Sequence, residues 1–291
     1  MLEVNVETFI ACDTPYEEAK VVLFGAPFDS TTSYRPGTRF GSRAIRSESY
    51  GLETYSPYQD KDMEDCAVFD SGDLELCMGS SERALDAISE RTATILEDGK
   101  LPFMIGGEHL VTYGAFREVY KRYPEVAIIH FDAHADLRQE YLGAELSHAC
   151  VLRRCHDLTG DGKIFQFGIR SGDRSEFTWS KEGHTFMNRF DFHGLEETIE
   201  QLKGKPVYFT IDLDVLDPSV FPGTGTPEAG GVSFMELFHA MLRVCEGCQI
   251  VGVDVNELSP TYDPSGVSTA VACKVVRELL LALKVEKTTY E

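Results

Sequence analysis

Ile128-Ile129-His130-Phe131-Asp132-Ala133-His134-Ala135-Asp136 is the stretch that decides the fold. Its apolar half, rich in β-branched residues, predicts a buried strand, and that strand runs straight into Asp-x-His-x-Asp. In extended chain every second side chain shares a face, so Asp132, His134 and Asp136 converge if the strand continues or curls gently at its end. Carboxylates flanking an imidazole in this way make a metal-type donor set. The competing account makes the aspartates solvated loop residues and His134 a chance neighbour. Val207-Tyr208-Phe209-Thr210-Ile211-Asp212-Leu213-Asp214 weighs against it, being again an apolar strand that ends in acids at i and i+2. Two carboxylates so placed repel unless a cation holds them. His130 falls in the apolar part of its strand and is read as a satisfied core histidine, not a ligand.

Working outward, further strands are predicted at 21–26, 66–69, 101–105, 163–169, 185–187 and 249–255, from short apolar runs bounded by turn residues. Helices are predicted at 41–49, 80–97, 109–123, 146–155, 195–202, 233–245 and 267–283. Strands alternating with helices imply an α/β fold: a single three-layer αβα domain over residues 1–291, with a mainly parallel sheet covered on both faces. In such sheets ligands gather beyond the carboxyl ends of the strands. His109, Asp132, His134, Asp136, Asp212, Asp214 and Glu257 all fall at such ends, with Gly106 and Gly107 letting the chain turn sharply before His109. Two loops, 27–38 and 217–231, are too long to be mere connections.

A chain of 291 residues, 43% hydrophobic, can fill a substantial core. Its formal net charge of −21 argues against nucleic acid or an anionic membrane as partner and favours cationic ligands. Met1 to Glu7 carry no basic region or apolar segment of signal-peptide length, and nowhere do eighteen apolar residues run together, so a cytoplasmic location is expected. The eight cysteines are scattered, and Cys245 and Cys248 form the one Cys-x-x-Cys pair. Zinc binding would need a second pair, so buried reduced thiols are the better reading.

Three blocks together resemble the ureohydrolases, the arginase and agmatinase family, over nearly the whole chain. They are Gly106-Gly107-Glu108-His109, the Asp132 to Asp136 block, and Asp212-Leu213-Asp214 followed by Pro218, Pro222-Gly223 and Gly231. The run Ser33-Tyr34-Arg35-Pro36-Gly37-Thr38-Arg39-Phe40-Gly41 and the segment Leu137 to Gly143 are more similar to the agmatinase branch than to arginases. The resemblance implies an arginase/deacetylase-like fold and two Mn²⁺ ions per chain. His109, Asp132, Asp136 and Asp212 would surround one ion, and His134, Asp132, Asp212 and Asp214 the other. The donor set agrees independently, since four carboxylates with two imidazoles and no thiolate suit a hard ion. Asp136 would orient the attacking water, Glu257 would hold the guanidinium, and His148 would move a proton to the leaving amine. Asp173 is similar to the position where arginases meet the substrate's amino group. Leu110 departs from the small hydroxyl residue usual after the first histidine.

The function so implied is hydrolysis of a small cationic guanidino substrate, agmatine, to putrescine and urea in an acidic, arginine-poor pocket, by a homo-oligomer of three or six chains. The alternatives are a related enzyme acting on guanidinobutyrate, guanidinopropionate or formiminoglutamate, and a non-catalytic polyamine-binding protein. A mononuclear zinc deacetylase on a related fold would need only one Asp/His/Asp set and a histidine pair.

Overall fold

The protein is described here by a computed structural model covering residues 7–283 together with Val285 and Lys287. The expectation that the amino terminus holds no leader falls mainly on residues 1–6, outside the described residues. In chain order the elements begin β1 (Val21–Gly25), α1 (Gly41–Ser49), the small hairpin β2 (Tyr55–Ser56) and β3 (Lys61–Asp62), then β4 (Val68–Asp73) and α2 (Ser81–Glu97). There follow β5 (Leu101–Ile105), α3 (Val111–Arg122), β6 (Ala127–Phe131), α4 (Val151–Thr159), β7 (Ile164–Ile169) and α5 (Arg174–Trp179). The chain ends with β8 (Phe186–Arg189), α6 (Leu195–Gln201), β9 (Pro206–Asp212), α7 (Phe234–Gly247), β10 (Gln249–Asn256) and α8 (Val267–Ala282).

Eight strands form one sheet in the order β4-β1-β5-β10-β9-β6-β7-β8, and every pairing is parallel. The late strands β9 and β10 insert between β5 and β6, so the sheet changes winding direction at its centre. The four central strands, β5, β10, β9 and β6, therefore present their carboxyl ends side by side. Alternation along each strand feeds two cores: Ile129, Phe131, Phe209 and Ile211 pack under α6, α7 and α8, and Ile128, Met104 and Tyr208 under α2, α3 and α4. This is the three-layer arrangement that strict period-2 burial on both faces dictates.

The helix expected at 146–155 starts later. Residues His148–Cys150 form a single 3₁₀ turn and the α-helix begins at Val151, because Arg138 donates to the Ala149 carbonyl and Tyr141 and Ala144 pair with each other, holding 138–149 as a folded loop. Helix α5 and the π turn Ser180–His184 after it are additions to the sequence reading. The signal was present: Asp173 and Glu176 form a capping box. The cysteines make no disulfide among the described residues, and Cys245 is buried while Cys248 is half-buried. Burial pushes the Cys248 thiol up to about 11, which disfavours redox chemistry at that pair.

Candidate metal centre and active site

The six expected ligands converge. His109 follows β5, Asp132, His134 and Asp136 follow β6, Asp212 ends β9, and Asp214 lies in the 3₁₀ turn Leu213–Val215 just beyond it. His109 Nδ1 lies 3.0 Å from Asp132, 3.3 Å from Asp136 and 3.4 Å from Asp212. His134 Nδ1 lies 2.9 Å from Asp214 and 3.5 Å from Asp132. Two imidazoles thus each face their own carboxylates and share Asp132. Both Asp136 and Glu257 sit at positive φ, 52° and 70°, a conformation that costs a non-glycine residue free energy and collects at functional positions.

His109 and Asp132 are held from behind by other buried polar groups. His109 Nε2 meets the Thr210 hydroxyl at 2.9 Å, which turns Nδ1 toward the carboxylates. Thr210 in turn donates to Asp254 at 2.5 Å, and Asn256 donates to the same carboxylate at 2.7 Å. His130 is fully buried, with Nε2 2.8 Å from Asp132, and the Gln166 amide donates to its Nδ1 at 3.1 Å. Gln166 fixes Nδ1 as the acceptor, so Nε2 carries the proton and His130 orients Asp132 instead of binding a cation. Thr210→Val keeps the shape and deletes the hydroxyl that aims His109. Metal affinity is expected to fall about 10–100-fold, read by equilibrium dialysis against Mn²⁺; an unchanged affinity would show that Thr210 does not aim the ring.

Gly106 and Gly107 are needed for a different reason from the one expected. Neither has positive φ; a Cβ on Gly107 would meet the Phe28 carbonyl oxygen at 2.0 Å, and one on Gly106 the Asn256 side chain at 1.8 Å. Leu110 packs fully buried in the apolar layer beneath the site.

Electrostatics mark the cluster as short of positive charge. Burial, then the Asp132 charge, raises Asp136 to about 7, and burial with Asp214 and Asp132 raises Asp212 well above the carboxylate range. Burial, Asp214 and Glu108 do the same to Glu257. Asp132 resists burial and stays well below that range because His130, His109 and His134 all face it. Buried acids that hold protons for want of a cation, with two imidazoles aimed at them, fit a pair of hard divalent ions. In the metal-free protein Asp136 keeps its proton up to about pH 7, and a cation must displace it. Asp212 and the two imidazoles are raised as well, so manganese affinity is expected to rise as pH climbs through about 7 and to go on rising above it, with proton release on binding. Calorimetry one unit either side of that value checks this; a flat affinity would contradict it.

His109, His134, Asp136 and Asp212 line a cleft of about 220 Å³, together with His148, Glu257, Tyr141, Arg138 and Glu176. Glu257 accepts the His109 N–H at 2.8 Å through Oε1. His148 is half-buried; its backbone N–H donates to the Thr31 hydroxyl at 3.0 Å, and Thr31 donates to Glu108 at 2.6 Å. Burial, with the positive charge of His134, pushes the His148 imidazole down to about 4. Asp173 does not line the cleft. It caps α5 through Ser175, and Glu176, one turn on, faces the cleft instead. Nor is the cleft free of arginine: Arg138 lies in it, 3.6 Å from Glu176 and over the Tyr141 ring.

The arginase family model matches residues 19–282. The chain belongs to the arginase family. It is 46% identical over 277 residues to the agmatinase of Bacillus subtilis, covering 94% of this chain and 96% of that one. A guanidinobutyrase from Pseudomonas aeruginosa is 33% identical over 271 residues, covering 89% and 85%. The agmatine ureohydrolase structure from Thermoplasma volcanium superposes with a TM-score of 0.88 at 35% identity, covering 97% of this chain and 95% of that one. As an arginase-family hydrolase the chain acts on guanidino or amidino groups, and none of its described helices is long and apolar enough to cross a membrane.

Proposed function

We propose that the whole chain is one catalytic domain, a binuclear manganese ureohydrolase that converts agmatine to putrescine and urea. The observation that carries it is the convergence of His109, His134 and four aspartates on one sheet end, beside a buried Glu257. Two divalent ions, one held by His109, Asp132, Asp136 and Asp212 and the other by His134, Asp132, Asp212 and Asp214, supply when bound the Lewis acidity that lets water attack near neutral pH.

A guanidinium is cationic and resonance-stabilised, so the protein must both attract it and orient the water. Glu257 attracts it: Oε1 is fixed by the His109 N–H, and the carboxylate gives the guanidinium a charge-assisted partner in a site from which water is largely excluded. Asp136 accepts a hydrogen bond from the attacking water and points its oxygen at the guanidino carbon. The new carbon–oxygen bond forms, the carbon–nitrogen bond to the alkyl chain breaks, and the departing amine needs a proton. His148 rests neutral, held at the cleft wall by Thr31, so it takes up a proton released in the attack and passes it to that amine. The absence of a disulfide among the described residues fits a reducing compartment, the cytoplasm.

A second reading, a guanidino acid as substrate, is favoured by Arg138 alone, since a guanidinium in the cleft would welcome a carboxylate. Its partnership with Glu176 favours agmatine, whose far end is an amine. Urea release with added manganese separates the two. Agmatine is expected to exceed arginine and guanidinobutyrate in kcat/KM by about 10²-fold or more, the scale of discrimination when a buried charge is left unpaired. Preference for a guanidino acid would transfer the assignment to the second reading and leave the reaction class intact.

A further inference from the structure

Away from the cleft, three side chains from separate segments meet on one atom. His156, in the last turn of α4, places Nε2 2.8 Å from Asp161 Oδ1, and His184, at the end of the π turn, places Nδ1 2.7 Å from the same oxygen. The three donor atoms lie within 4.8 Å of one another. None of the three residues lines the cleft. The geometry points to a second cation site here, for a zinc-class divalent transition ion held by His156, Asp161 and His184.

The donor chemistry differs from that of the cleft. Two imidazoles and one carboxylate, with no surplus of acids, suit Zn²⁺ or Ni²⁺ over Mn²⁺. Tetrahedral ligands at about 2.0–2.2 Å from an ion stand about 3.4 Å apart, so the two imidazole–carboxylate separations need to open by only about 0.6–0.7 Å. Asp161 sits in a turn between Gly160 and Gly162, both at positive φ, and its side chain is 62% exposed, leaving room for water to complete the shell. The imidazoles are already aimed. His184 stacks on Trp179 with centroids 4.5 Å apart, His156 meets the same indole edge-on at 4.6 Å, and Glu182 stands 3.9 Å from the other nitrogen of His184. The indole contacts hold both rings in place, and the Glu182 carboxylate, beyond hydrogen-bond reach, adds negative charge beside them. The ion would fasten the carboxyl end of α4 to the segment leading into β8. The other end of α4 donates Leu152 N–H to the Asp136 carbonyl at 3.0 Å, so the clasp braces the helix that supports a cleft ligand.

Trp179 is the single tryptophan of the chain and reports on this site directly. The untagged, manganese-loaded protein is titrated with Ni²⁺ while indole fluorescence is followed, and bound nickel is counted by mass spectrometry. Saturable quenching with one nickel per chain is expected. Asp161→Asn, at an exposed position, is expected to weaken it about tenfold or more while urea release is unchanged. His156→Gln with His184→Gln should abolish it, and Asp132→Asn, which disables the cleft ions, should leave it intact. Quenching that never saturates, that is equal in Asp161→Asn, or that disappears in Asp132→Asn overturns the site.

Discussion

Glu257→Gln is expected to lower kcat/KM for the guanidino substrate by about two to four orders of magnitude, about 3–5 kcal/mol. Glutamine keeps the shape and the oxygen that accepts the His109 N–H. What it loses is the charge that offsets the substrate cation at a residue only 6% exposed. His148→Asn should behave differently, lowering mainly kcat, by about 10²–10⁴-fold. Its ring stands at the cleft wall on a surface turn, so imidazole added to the solution should recover part of that loss and none of the Glu257 loss. The two roles are wrong if small bases rescue Glu257→Gln and not His148→Asn, or if both variants keep near wild-type rates with metal bound.

Asp132→Asn is expected to remove both cations and with them measurable urea release, about 10³-fold or more. Asp132 faces both imidazole sets, His109 at 3.0 Å and His134 at 3.5 Å, and takes a further contact from His130 at 2.8 Å. An amide there carries no charge and brings an N–H group into a pocket already crowded with donors. Asp214→Asn makes the contrast, because Asp214 faces His134 alone among the imidazoles. It should cost one ion per chain and leave the other. Metal counts on gel-filtered protein decide the matter; two ions retained in Asp132→Asn would dismiss it as the shared ligand.

Apolar periodicity was enough to set the layers and to bring the six candidate ligands to one sheet edge. Period-2 apolar runs ending in acids can satisfy both faces of a buried strand only in a covered parallel sheet, and a ligand placed at the carboxyl end of such a strand is delivered to the same edge as the others. That is why His109, Asp132, His134, Asp136, Asp212 and Asp214 were legible before any contact was known. Local pattern misplaced the start of α4 and passed over α5, where hydrogen bonds from Arg138 and a capping box in a polar stretch outweighed apolar spacing.

Only the packing of distant segments showed which groups stand behind the candidate ligands and which line the cleft. Thr210, Asp254 and Gln166 lie on strands that are distant in sequence from the imidazoles they orient, and nothing in a linear pattern says which buried polar group will stand behind which ring. The same holds at the cleft mouth, where Glu176 in place of Asp173, and Arg138 beside it, follow from how one loop folds back on a helix start. It holds too for His156, Asp161 and His184, ordinary surface residues in the sequence, whose meeting depends on a π turn and two left-handed glycines that only the packed chain specifies.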